Sequence, residues 1–291
     1  MRWLRSLHLL LPVLLLSVSL PAPAQQQPLV TEEAEVVRRG DMLIQLGFEY
    51  LQDARFPLSG LEGDLSRVGV VDLHLGVSRS VEIQIQGAIR QFLSVNEQHP
   101  SFVTPQLDRG GTSTSDFADF TLAAKALLLP ETARWPALGL RFGLEMPNTD
   151  EARGIGLNTT NVFITLLAQK HAGKLNVFGN LGLGILQAPA GLFSQNDVIL
   201  YGIGATYPVH ERVNVVGEVA GRHSTRNTPV TSALVSTGSR SQARLGVQVF
   251  AGGLRWNFAG IAGLTRDDPD TGFVFGVSRS VRLWPKADPT R

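Results

Sequence analysis

The chain has no cysteine among its 291 residues, and only three methionines and four tryptophans. Disulfides and thiolate metal sites are therefore excluded. It has no excess of charge of either sign: 26 basic residues stand against 25 acidic ones, and charged residues are only 18% of the chain. That balance gives a polyanion nothing to hold, so nucleic acid is not an expected partner. Beyond the N-terminus no apolar run approaches the roughly 20 residues of a membrane helix. Long stretches of helical period are missing too. The 30 glycines lie largely inside alternating segments, where they would penalise a helix.

The N-terminus reads as a processing segment. Arg2 and Arg5 make a basic start, Leu7 to Leu20 is apolar apart from His8, Pro12, Ser17 and Ser19, and Ala22-Pro23-Ala24 is a small-residue cleavage motif. We assign residues 1–24 to a secretory signal peptide and exclude them from fold reasoning. No cysteine follows the run, so it is not a lipoprotein signal. Without Arg2 and Arg5, 24 basic residues remain against 25 acidic ones. Export without cysteines suits a bacterial envelope protein.

What the chain has is alternation. In Ala137 to Met146, Leu138, Leu140, Phe142, Leu144 and Met146 are apolar, while Gly139, Arg141, Gly143 and Glu145 are tiny or charged. A period of two is a strand with two different environments. Its length, about ten residues, is what a tilted strand needs to cross a bilayer. The design recurs about twelve times between residues 41 and 284. The first strand is expected over about 41–51. A hairpin follows, with Val71, Leu73, Leu75 and Val77 before Ser78-Arg79-Ser80, and Val81, Ile83 and Ile85 after it.

Connections alternate as well. Short turns follow the even strands, and long polar loops, such as 94–115, 147–160 and 223–240, follow most of the odd ones. Aromatics gather near predicted strand ends: Tyr50, Phe120 and Phe273 at one level, Tyr207, Trp256 and Trp284 at the other. The expected fold is all-β: an antiparallel transmembrane β-barrel of about 12 strands over residues 41–284. It has short periplasmic turns, longer extracellular loops and both termini in the periplasm. Residues 25–40, with Glu32, Glu33 and Glu35, read as a flexible periplasmic lead, and residues 285–291 as a disordered tail. A soluble β-sandwich shares the alternation, with its apolar faces turned inward, and is the competing architecture.

From Asp119, and chiefly over Asp119 to Arg222, the sequence resembles a family of outer-membrane barrels named after the phenol meta-cleavage degradation pathway. The resemblance rests on Ala118-Asp119-Phe120-Thr121-Leu122-Ala123-Ala124-Lys125, Trp135-Pro136-Ala137-Leu138-Gly139-Leu140 and Met146-Pro147-Asn148-Thr149-Asp150. The stretch Asp197 to Pro208 running into Val213 to Glu218 extends it. Members tend to end on an aromatic residue, whereas here Trp284 is followed by seven more residues. The resemblance implies an outer-membrane protein that moves small hydrophobic or aromatic molecules.

The polar faces put a set of ionisable residues in the predicted lumen. Asp72, His74, Glu82, Glu145 and Glu218 are its anions and imidazole; Lys125, Arg141, Arg222, Arg244 and Arg255 are its cations. One reading is structural, with opposite charges pairing to fill a narrow barrel. The other is a polar pathway whose charges set selectivity.

No catalytic constellation appears. His74 has no outward serine partner, His171 and His210 fall in periplasmic turns, and His99 and His223 lie in loops. Gly179 to Gly184 sits within a strand with no helix after it, so it is not a phosphate cradle. Asp267, Asp268 and Asp270 read as a solvated loop rather than a calcium site. The expectation is therefore a non-enzyme with no cofactor, surrounded by outer-membrane lipid, assembled by the barrel-insertion machinery and serving a small-molecule solute. Oligomeric state is not readable. A structural or surface-interaction barrel that transports nothing is the alternative; a lipid-modifying barrel enzyme is a lesser one. Whether residues 25–40 or an outer loop folds in as a plug also stays open.

Overall fold

The two-residue period becomes strand throughout. A computed structural model of the chain describes residues 28–108, 110–187, 195–224, 226 and 237–284. The signal peptide and the 285–291 tail lie outside the described residues. The strands are β1 (Asp41–Phe56), β2 (Leu61–Gly76), β3 (Val81–Gln98), β4 (Ser113–Asp116), β5 (Phe120–Leu129), β6 (Ala137–Met146) and β7 (Asn161–Ala172). They continue with β8 (Leu175–Gln187), β9 (Gln195–His210), β10 (Val213–Ser224), β11 (Arg240–Ala251), β12 (Leu254–Gly263) and β13 (Thr271–Arg282). A 3-10 turn, η1 (Glu151–Arg153), interrupts the loop after β6.

Every neighbouring pair is antiparallel. β1 pairs with β2 on one side and with β13 on the other, from Asp41 opposite Arg282 to Gln52 opposite Thr271. β2 pairs with β3, and β3 with β5, so the ring closes. Twelve strands form the wall. β4 lies outside that ring, paired only with the upper part of β3. A closed ring leaves no strand edge, and this removes the sandwich.

The two surfaces confirm which side is wet. Lys125, His74, Gln45, Gln84 and Glu82 are among the largest fully buried side chains, whereas Leu245 is 71%, Ile203 62% and Leu181 61% exposed. A soluble protein reverses this. Here the apolar face needs lipid and the polar face fills the interior. On the outer surface Phe48, Tyr50 and Phe273 touch near one end, and Trp256, Phe258 and Phe275 toward the other. The ten-residue β6 has its outward Phe142 at mid-strand, 48% exposed.

Four sequence expectations are corrected. β1 runs to Phe56 rather than about residue 51, and β3 to Gln98 rather than into a loop from 94. Polar residues mark these extensions because the strands there have left the hydrocarbon. A register irregularity between Leu51 and Ala54, with Asp53 at φ 51°, breaks the alternation that would have revealed the continuation. The Asp267–Asp270 loop is not simply solvated either. Asp268 is buried and accepts from the backbone N–H groups of Ser241 and Thr265.

The largest correction concerns residues 28–40. They are not a free periplasmic lead; they run up inside the barrel. Ala34 and Val37 are wholly buried, as are Thr31, Glu32 and Glu33. The segment leaves the bore through Gly40, at φ 82°, whose N–H donates to the Gly76 carbonyl at 2.8 Å. The Leu283 N–H donates back to the Gly40 carbonyl at 2.9 Å. Its acidic residues suit a flexible lead by composition, but the complementary charges that satisfy Glu32 are on the wall.

Candidate functional site

The site is the bore, and the strands build it in layers. The lower, periplasmic layer begins with register: Glu82, Lys125 and Arg141 are cross-strand partners on β3, β5 and β6. Lys125 Nζ lies 3.0 Å from Glu82 Oε1. Glu82 Oε1 also faces His74 Nδ1 at 2.9 Å, and His74 Nε2 faces Asp72 at 2.8 Å. Asp72 accepts from Gln45 Nε2 at 2.6 Å, and Gln45 in turn accepts from Arg255 at 2.9 Å. Into this wall network the N-terminal segment inserts Glu32. Its carboxylate meets Arg141 Nε at 2.7 Å and Lys125 Nζ at 3.5 Å, and accepts from Gln84 Nε2 at 2.9 Å. The segment's backbone is held by wall side chains as well: the Val37 N–H donates to Glu82, and the Glu33 carbonyl accepts from Lys125. Most of these buried polar groups gain a hydrogen-bond partner, as burial demands, while Thr31 Oγ1 on the segment has none.

Glycine makes the room. A Cβ on Gly76 would sit 2.1 Å from the Arg38 carbonyl oxygen, and one on Gly202 would sit 2.7 Å from Thr31 Oγ1. The inward glycines are thus a channel for backbone, not for solvent. Small apolar contacts complete the fit: Ala34 against Ala137 and Leu167, Leu29 against Phe178 and Val216, and Val37 against Leu43.

The middle layer ends the plug. Glu218 accepts from the backbone N–H groups of Val30 and Thr31 at 2.8 and 2.7 Å. Arg244, its register partner, reaches Glu49 at 2.9 Å and the Pro28 carbonyl at 3.1 Å. Glu49 also pairs with Arg67 at 3.0 Å.

Above the plug lies a vestibule of about 730 Å³. Its wall includes Arg67, Arg222, Arg240, Glu145, Phe163 and Tyr201, and Glu32 and Thr31 of the segment form its floor. This volume falls within the roughly 300–1,000 Å³ of small-molecule sites. The outer loop 147–160 folds over the mouth instead of standing away from it. Ile155 joins an apolar cluster with Leu61, Leu65, Leu93 and Ile261. Ser59 Oγ donates to the Gly154 carbonyl, and Thr114 Oγ1 to the Arg153 carbonyl. Asp119 accepts from the N–H groups of Asn148 and Thr149, and burial nevertheless holds its carboxyl above the usual aspartate range.

Of the ten residues singled out by alternation, Asp72, His74, Glu82, Lys125, Arg141 and Arg255 sit in the lower layer. Glu218 and Arg244 sit in the middle, and Glu145 and Arg222 line the vestibule. Four further charges were missed. Glu49 was visible on the polar face of β1 but not singled out. Arg67 lies beside a register irregularity near Gly69 (φ 65°), Arg240 at the margin of a supposed loop, and Glu32 in the supposed lead.

Among the described residues, Glu62, Glu97 and His99 are near enough to share a metal ion. They are outside the bore, and Glu62 is already paired with Arg55 at 2.9 Å.

The fold is similar to that of a known outer-membrane protein. The COG4313 outer membrane channel from Pseudomonas putida F1 aligns over 85% of this chain and 98% of its own, with a TM-score of 0.61 and 15% identity. The NanC porin covers 83% of this chain and 98% of its own, at a TM-score of 0.49 and 8% identity. The Pseudomonas putida toluene transporter TodX covers 86% and 94%, at a TM-score of 0.43 and 8% identity. No protein-family model matches the chain, and no curated protein does.

Proposed function

We propose that this protein is an outer-membrane channel for small molecules, captured with its bore shut by residues 28–40. The observation that carries the reading is the division of the bore. A vestibule of about 730 Å³ stands above the plug, while the layer beneath it holds Gln45, His74, Glu82 and Gln84 at zero exposure. Solute that enters from outside therefore meets a backbone segment, not a wall strand. That segment is covalently continuous with the barrel at Gly40–Asp41, so its withdrawal breaks its own bonds to Glu218, Glu82, Lys125 and Arg141 but none of the strand-to-strand ladder.

The resemblance of Ala118–Lys125, Trp135–Leu140 and Met146–Asp150 to the barrels named after the phenol meta-cleavage pathway supports placing the chain with that family. The likeness to the Pseudomonas putida channel supports the same architecture. The paired charges of the lower layer hold the plug, and those of the vestibule select the solute. Outer-membrane lipid is then its surroundings and the barrel-insertion machinery its assembly partner.

Planar-bilayer currents and liposome swelling with small solutes test the channel. The full chain is expected to pass little, and Glu32→Ala, which frees one end of the plug's ion pairs, to pass more. Neither protein passing any solute, with an intact barrel by circular dichroism, would leave the non-transporting barrel as the better reading.

A further inference from the structure

The geometry points to a lipid site on the outer wall of the barrel, in which Arg90 and Ser115 hold the phosphate of a phosphorylated lipid of the extracellular leaflet and Phe92 and Phe117 flank it. The site faces lipid and stands whether or not the bore conducts.

The argument begins with how Arg90 comes to be outside. On the lower part of β3 the even positions face the lumen: Glu82 and Gln84 are fully buried, whereas Ile85 is exposed. The same alternation continued to residue 90 would turn the arginine inward. It does not continue, because the wall slips at Gly69 of β2, which takes φ 65° against Ile89 of β3. Above the slip Gln91 and Leu93 are the buried residues, and Phe92 is exposed. Arg90 shares the face of Phe92, and its register partner on β2, Val68, is exposed as well.

Its height follows from strand position. Tyr50, Arg90, Phe120 and Phe273 each stand nine residues from the periplasmic end of their strands, at Asp41, Val81, Leu129 and Arg282. With about 3.3 Å per residue and a tilt of about 35–45°, that is roughly 20–25 Å of height. The apolar band of an outer-membrane barrel is about 25 Å tall. Arg90 therefore occupies the level at which three other strands place a girdle aromatic, at the upper edge of the hydrocarbon and beside the lipid headgroups.

The surroundings of the guanidinium suit an anion and supply none. Arg90 Nη2 donates to Ser115 Oγ at 2.9 Å. Its guanidinium carbon lies 5.2 Å from the centroid of the Phe117 ring and 6.0 Å from that of Phe92. Rings at this distance attract and orient a cation without neutralising it. Among the described residues no carboxylate pairs with Arg90, whereas Arg55 is held by Glu62 and Asp270. Ser115 Oγ accepts from Arg90 and, among the described residues, donates to nothing, so its O–H can make a second bond to the same ligand. The short strand β4 is what brings these groups together. It takes the upper edge of β3, with Ser115 opposite Phe92, and Phe117 follows directly after it. Arginine binds phosphate through a fork of charge-assisted hydrogen bonds. The exposed Ile89, Val68 and the two rings offer an acyl chain a surface beside that fork. A phosphate with a chain attached uses both halves; a free phosphate uses one.

Native mass spectrometry of the full chain in detergent tests this with three probes: lipid A carrying its phosphates, lipid A stripped of them, and inorganic phosphate. The phosphorylated lipid is expected to be retained about fivefold more tightly than the stripped one, the usual worth of one basic side chain at an anionic lipid surface. Arg90→Gln should bring the phosphorylated lipid down to the stripped level, and Arg55→Gln should leave it unchanged. Equal retention of the two lipids by the unaltered chain, wild-type retention in Arg90→Gln, or an equal loss in Arg55→Gln would each overturn the site. Displacement of the lipid by inorganic phosphate at matching concentration would show a free-anion site and overturn the lipid assignment. The comparison of the two lipids uses the unaltered chain and so survives a variant that fails to fold.

Discussion

Replacing Lys125 with methionine should both destabilise the barrel and release its plug. The ammonium group is almost wholly buried, 3.0 Å from Glu82 and 3.5 Å from Glu32, and it also donates to the Glu33 carbonyl. At an effective dielectric constant near 20, each of these ion pairs has a gross attraction of about 5 kcal/mol. Methionine keeps much of the volume and avoids burying a charge, so the net loss is smaller. Leaving a buried carboxylate without its partner costs about 3–5 kcal/mol.

Both carboxylates keep some support, Glu82 from His74 and the Val37 N–H, Glu32 from Arg141 and Gln84. The expected loss is therefore at the lower end, about 3 kcal/mol. It divides between wall and plug, because Glu82 is on β3 and Glu32 is on the segment. Urea unfolding of the lipid-folded protein measures the first part, and solute flux measures the second. Adding Glu82→Gln should recover part of the lost stability by removing the stranded charge. A stability change below about 1 kcal/mol together with unchanged flux would refute the reasoning that the lysine ties the plug to the wall.

Phe142→Lys puts a charge on the lipid face at mid-strand and should cost about 2–4 kcal/mol in the same unfolding assay; a negligible cost would contradict the assigned lipid face. Gly76→Ala places a methyl group against the Arg38 carbonyl, so the segment should shift and its protease sensitivity rise, with about 1–3 kcal/mol of overpacking. On the periplasmic turn, the hydrogen bond from His171 holds the Glu131 carboxyl down at about 2. Its small contribution to stability is fully present above about pH 4.5, the ordinary glutamate value, and is lost as pH falls through 2. NMR titration of Glu131 in His171→Ala should show its midpoint rise toward 4.5.

The wall was legible in the sequence because each strand writes its two environments as alternate residues. Leu138 to Met146 and Val71 to Ile85 needed no more than that. Alternation also put Lys125, Arg141 and Glu218 on the inner face. It failed where the period slips: the irregularity at Leu51–Ala54 hid the end of β1, and Arg240 looked like loop because a long polar stretch precedes it. The plug was illegible for a deeper reason. Glu32 and Glu33 have the composition of a solvated tail, and what buries them are Arg141, Lys125 and Asn176, more than ninety positions away. No local pattern encodes that complementarity. The sequence shows glycines within the alternating segments, but what those at Gly76 and Gly202 make room for appears only when the segment passes them.

The position of the plug beside β1 has a consequence for how the barrel is made. The bond between the Val30 N–H and Glu218 spans 188 residues, and it cannot form until β10 exists. β1 is also the strand that must wait for β13 to seal the ring. The stopper and the seam are therefore consecutive in the chain, and the stopper's upper anchor, like the seam, waits for the last strands of the barrel. The stopper's lower anchors, Glu82, Lys125 and Arg141, are on earlier strands, so the cork can rest against half a bottle before the glass is closed around it.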